Sequence, residues 1–117
     1  MVNDMAATLL LPVSHEGMEM TEVKADGMFV GGALGNFTTN RVKVETGSMI
    51  YMFTDGYADQ KGGPKNEKYF STVFKQLLNS LANKNATEQK EILHTTFNDW
   101  KGSNEQIDDI LVIGIRI

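Results

Sequence analysis

From Phe70 onward the apolar positions Phe70, Val73, Phe74, Leu77, Leu78 and Leu81 advance by alternating steps of three and one, as one face of an α-helix requires. A second helix is predicted from Asn85, a residue type that caps free N-terminal amides, with Glu88 placed to reach back. Its apolar stripe runs through Ile92, Leu93, Phe97 and Trp100 to Gly102, where a glycine suits a helix end. The two helices are predicted to pack as an antiparallel pair, with Phe97 and Trp100 on the buried face.

The rest of the chain reads as strand. Residues 8–13 are apolar, Ser14, His15, Glu16 and Gly17 supply a turn, and residues 18–24 resume, which predicts a β-hairpin. Residues 25–40 hold Gly27, Gly31, Gly32 and Gly35 with little periodicity, an irregular connection with a short strand at 28–30. Residues 41–44 alternate charged and apolar, Glu45, Thr46 and Gly47 make a turn, and residues 48–53 are rich in strand formers, which predicts a second hairpin. Residues 110–117 are apolar almost without interruption, the pattern of a central strand buried on both faces. The fold class is therefore α+β: an antiparallel β-sheet with a packed helix pair on one face, and residues 1–117 form a single domain.

Composition narrows the function. A chain of 117 residues with 41% apolar and 22% charged residues is an ordinary globular domain, and 11 Gly with only 2 Pro do not make a linker. The formal charge of −4, without a Lys or Arg cluster, excludes nucleic acid and anionic membrane as expected partners. The absence of Cys excludes disulfides, thiolate zinc sites and cysteine nucleophiles, and suits a reducing cytosol. The early apolar run at 6–13 is too short to span a bilayer and follows Asp4 rather than basic residues, so a cytoplasmic location is expected.

Candidate chemistry lies in two acidic positions. Asp55 follows one apolar strand and Asp108 precedes another; if these strands are antiparallel neighbours, both carboxylates meet at one edge of the sheet. Gly56 would let backbone approach closely there, and paired carboxylates with water suit a hard cation such as Mg²⁺ or Mn²⁺. Spacing alone favours the plainer reading, with Asp55 and Asp59 as turn residues and Asp108 and Asp109 as caps of a strand. Other features carry less. Asp26-Gly27 precedes an apolar stretch and reads as a turn, and Gly31-Gly32-Ala33-Leu34-Gly35 lacks the Lys-Ser/Thr ending of a phosphate loop. His15 and His94 read as surface residues, and the seven Met as core filling.

Taken together, the segment Met49-Ile50-Tyr51-Met52-Phe53-Thr54-Asp55-Gly56-Tyr57-Ala58-Asp59-Gln60, the amphipathic helix pair, and Glu105-Gln106-Ile107-Asp108-Asp109-Ile110-Leu111-Val112 resemble the C-terminal half of the sporulation stage II E phosphatases. These are a bacterial branch of the PPM (type 2C) metal-dependent serine/threonine phosphatases. The resemblance implies part of that family's two-sheet sandwich. It also implies that Asp55, with Gly56 beside it, and Asp108 bind one Mn or Mg ion; Asp109 is less clearly a ligand. In the family two metals activate water for in-line attack on a phosphoserine or phosphothreonine, without a covalent enzyme intermediate. The family's N-terminal half carries a further Asp-Gly whose carboxylate bridges the metals, and no counterpart precedes Thr54. The chain is therefore expected to be a C-terminal portion that is inactive alone, supplying no catalytic residue beyond its metal ligands. Its parent would act on a phosphoprotein substrate of a bacterial signalling system. The alternative is a non-catalytic module that self-associates as a homo-oligomer through a face its missing half would cover.

Overall fold

The computed structural model describes residues 6–12, 18–23 and 41–117, the first two stretches by their backbone. In chain order the elements are β1 (Ala6–Pro12), β2 (Met18–Val23), β3 (Met49–Phe53), α1 (Gly56–Asp59), β4 (Lys61–Gly62), β5 (Glu67–Lys68), α2 (Ser71–Leu81), α3 (Ala86–Lys101) and β6 (Val112–Arg116). The antiparallel sheets and the helices make the α+β class read from the sequence. The chain divides into two compact units, Met1–Thr54 with Val112–Ile117, and Asp55–Leu111.

The first unit holds a sheet in the order β2-β1-β3-β6. The predicted first hairpin is present as β1 and β2, antiparallel with Leu9 opposite Thr21. Ile, Tyr and Phe give β3 its strand preference, and its burial alternates with the pleat: Met49, Tyr51 and Phe53 are buried, Ile50 and Met52 half-buried. Both edges of β3 are paired, Ile50 lying opposite Leu9 on one side and opposite Ile115 on the other.

That double pairing corrects the second predicted hairpin. With both edges of β3 occupied, residues 41–44 have no sheet position; they are irregular, and Arg41, Val42 and Lys43 are exposed. Only the turn survives. The Ser48 amide donates to the Glu45 carbonyl at 3.1 Å, and Gly47, at φ 95°, donates to the Ile117 carbonyl at 2.8 Å. Ile117 returns a bond to the Ser48 carbonyl at 2.9 Å, so the end of the chain takes the place intended for residues 41–44.

The last strand also departs from expectation. β6 begins at Val112 rather than at 110, and it is an edge strand among the described residues, not a central one. Ile113 and Ile115 are 38% and 43% exposed, so it is not buried on both faces. The error has a simple source: an unbroken apolar run reports hydrophobicity but not the number of neighbours. Gly114 lies opposite Tyr51, and a Cβ there would stand 3.0 Å from the Tyr51 ring, which covers the glycine.

The second unit contains both predicted helices. Tyr57 of α1 lies between them, stacked on Phe74 of α2 with ring centroids 4.5 Å apart and tilted against Phe97 of α3 at 5.1 Å. Its hydroxyl donates to the Leu93 carbonyl at 2.8 Å. Phe74, Leu78, Leu81, Ala82 and Phe97 complete the buried core. The stripe of α2 is narrower than its spacing suggested: Val73 is exposed, and Phe70 stands outside the helix at φ 75°, half-exposed as its N-cap. The cap of α3 is as read. Asn85 accepts from the Glu88 amide at 2.9 Å, and the Glu88 carboxylate accepts from the Asn85 side chain at 2.7 Å. At the other end Gly102, at φ 55°, donates to the Asn98 carbonyl at 3.0 Å.

Candidate functional site

The residues singled out from sequence, Asp55, Gly56 and Asp108, all belong to the second unit. Asp55 is the N-cap position of α1; its carbonyl accepts from the Asp59 amide at 2.9 Å, while its exposed carboxylate makes no capping bond to the helix. A capping Asp turns its oxygens onto amides. Asp55 is thus a turn residue by position, and its side chain makes no bond that caps the helix.

Gly56 is buried against the chain segment that carries Asp108. A Cβ at Gly56 would fall well inside van der Waals contact of the Asp109 carbonyl oxygen and 2.9 Å from the Ile110 side chain. Only a residue without a side chain fits that approach. The backbone following Asp55 therefore lies directly on the backbone following Asp108, and the two sequence motifs come together. Asp108 is oriented locally: one carboxylate oxygen accepts from the Asp109 amide at 2.8 Å, and its carbonyl accepts from the Gln106 side chain at 2.9 Å. Asp108 and Asp109 are both exposed.

These groups fit a hard cation in kind. Carboxylate oxygens open to water beside a close backbone approach are what Mg²⁺ or Mn²⁺ takes. Among the described residues no group of three or more His, Asp or Glu side chains converges. Asp59 is turned elsewhere, 3.5 Å from the Lys68 ammonium in an exposed ion pair that contributes little to stability. His94 is exposed and hydrogen-bonded to Asn98 at 3.0 Å, in keeping with its surface reading. His15, Asp26-Gly27, the proposed strand at 28–30 and the glycine cluster at 31–35 lie outside the described residues.

Sequence reading passed over Gln60, which sits between Asp59 and Lys61 like a surface residue. It is fully buried. Its side-chain amide donates to the Lys61 carbonyl at 3.0 Å and to the Glu105 carbonyl at 2.9 Å. Its backbone carbonyl accepts from the Trp100 indole at 2.8 Å and the Tyr69 amide at 3.1 Å. The Oε1 oxygen has no partner, which costs about 1–3 kcal/mol for a buried acceptor. The signal that could have revealed this hub is Trp100, whose indole N–H must find an acceptor once the ring is packed away. A Cβ at Gly63 would collide with that ring and one at Gly62 with the Trp100 backbone carbonyl, which accepts from the Gly63 amide at 3.0 Å.

Comparison with known proteins bears on this arrangement. The family model of Stage II sporulation protein E (SpoIIE) matches residues 7–117. Among solved structures, the SiaA-PP2C domain of Pseudomonas aeruginosa is similar at 27% identity and a TM-score of 0.81, covering 98% of this chain and 43% of that one. The chain thus spans less than half the length of this structural relative. No curated protein matches. Among the described residues no helix is long and apolar enough to cross a membrane.

Proposed function

Because the chain belongs to the family of stage II sporulation protein E, a phosphatase-type fold related to PP2C domains, we propose that it is the C-terminal part of a metal-dependent protein serine/threonine phosphatase domain. In this reading Asp55 and Asp108 hold one Mn²⁺ or Mg²⁺ ion. The observation that carries it is the packing of Gly56 on the Asp109 carbonyl, which sets the Asp55 turn against the Asp108 turn. Bound there, a divalent cation supplies Lewis acidity toward water and phosphoryl oxygen. The chain's own residues position: Gly56 permits the approach, and the Asp109 amide fixes one oxygen of Asp108.

Two carboxylates form an open and weak site, since affinity for hard cations rises with ligand number and charge. The chain alone therefore binds metal weakly and does not turn over, and the parent domain acts on a phosphoprotein of a bacterial, cytoplasmic signalling system. Calorimetry with Mn²⁺ on the chain and on Asp55→Asn, alongside hydrolysis of a small phosphate ester, tests this. Weak binding lost in the variant, without hydrolysis, is expected. Equal binding by the two proteins removes Asp55 from the site; hydrolysis by the chain alone refutes its incompleteness.

A second reading is favoured by the exposed Ile113, Ile115 and Ile117 at the sheet edge: a phosphatase-like module that self-associates. Light scattering across a concentration series decides it, a monomer at every concentration being the outcome against it.

A further inference from the structure

We propose that Gln60 is a positioning residue for the Asp55 and Asp108 pair, clamping the loop that carries Asp108 onto the turn that carries Asp55; the inference rests on the metal-site reading above. The loop after α3 has no regular secondary structure from Glu105 to Leu111, and Glu105 to Asp109 are exposed. Such a segment holds its carboxylate in place only through its anchors. Asn104 supplies peripheral ones, from its side-chain amide to the Lys61 carbonyl at 3.3 Å and to the Asn66 side chain at 3.1 Å. The anchor made by a fully buried side chain is that of Gln60 to the Glu105 carbonyl, three residues before Asp108. Gln60 itself directly follows α1, the turn that Asp55 opens.

The chemistry of the contact requires an amide. Both partners of Nε2 are carbonyl oxygens, Lys61 and Glu105, so the NH₂ group must face them; the reversed amide would set oxygen against oxygen. The contact uses the donor end of the side chain, and Oε1 takes no part in it. Gln60 contributes no ligand. It acts through the backbone of the Asp108 loop, as outer-shell groups commonly act on metal ligands.

The test uses the full chain as wild type, Gln60→Met, which keeps the volume and removes the donor, and Trp100→Phe. The last removes the indole bond to the Gln60 backbone but leaves the Gln60 side chain intact, and so reports general loss of stability. Hydrogen exchange is read at the amides of residues 105–109, thermal unfolding without metal, and Mn²⁺ binding by paramagnetic broadening of the Gly56 and Asp109 amide resonances. In Gln60→Met the exchange of residues 105–109 accelerates and the Mn²⁺ midpoint rises about tenfold or more. In Trp100→Phe the midpoint stays near that of the wild type despite a lower unfolding temperature. Wild-type exchange and midpoint in Gln60→Met overturn the proposal, as does a rise in midpoint that merely follows stability in both variants. If the wild type binds no Mn²⁺, the metal reading fails, and exchange alone decides the clamp: acceleration confined to 105–109 upholds it and unchanged exchange overturns it. Should Gln60→Met not fold, Gln60→Asn, which keeps the amide but withdraws it by one methylene, is read by the same criteria.

Discussion

β3 and β6 are paired residue for residue, Phe53 opposite Val112 through Met49 opposite Arg116, and both are five-residue segments, apolar but for Arg116. Their situations differ. Among the described residues β3 has a strand on each side and a fully alternating burial pattern, whereas β6 has β3 on one side and leaves Ile113 and Ile115 exposed. Composition does not separate a central strand from a rim strand; the number of partners does. The largest effect that sharpens this contrast is expected at Tyr51, whose ring is fully buried and covers Gly114. Tyr51→Ala should destabilise the fold by about 3–5 kcal/mol, the range for deleting a buried aromatic ring. Urea denaturation measures it, and a loss below about 1 kcal/mol would mean that β3 is no better supported than an exposed strand.

The same contrast marks what was legible in the sequence. Both helices could be read, because a stripe such as Phe74, Leu78 and Leu81 and a cap such as Asn85 with Glu88 are local signals. The first hairpin is equally local. The second hairpin failed because its turn, at Glu45 to Ser48, was real but its first arm competed with β1 and with the end of the chain for the edges of β3. Such competition is settled by tertiary pairing that one strand's sequence does not carry. At the candidate site, Asp55, Gly56 and Asp108 stood out as acidic turns beside apolar strands. Gln60 did not, since a polar residue between two charged ones gives no local hint of burial.

A smaller effect follows from the tyrosines of the two units. Burial pushes the Tyr51 phenol up to about 12, with Arg116 pulling it partly back. Tyr57 is raised further, by burial first and then by Tyr69. In both cases the neutral phenol is the form the fold prefers. A folded pKa above the unfolded value of 10.0 contributes stability fully present below that pH and lost as pH rises through the folded value. Stability should therefore fall progressively above pH 10, the Tyr51 share disappearing through about 12. Denaturation curves between neutral pH and pH 12 test this, and Tyr51→Phe should flatten the decline. A decline of the same steepness in the variant would place the loss at other groups.

The smallest effect should come from the rim. Ile115 lies opposite Ile50 and keeps 43% of its surface exposed, so its contribution is a cross-strand contact rather than a filled core site. Ile115→Thr retains β-branching and strand preference, and should cost about 0.2–1 kcal/mol, the worth of such a pair. The measurement is again urea denaturation, carried out at two protein concentrations. A loss comparable to that of Tyr51→Ala would show that Ile115 is covered in solution and that β6 is not a rim strand. If that loss grew with protein concentration, the cover would be a second copy of the chain, because only association makes stability depend on concentration. A small loss that is the same at both concentrations leaves the two strands as unequal as their pairing makes them, and assigns the work of holding the sheet to β3.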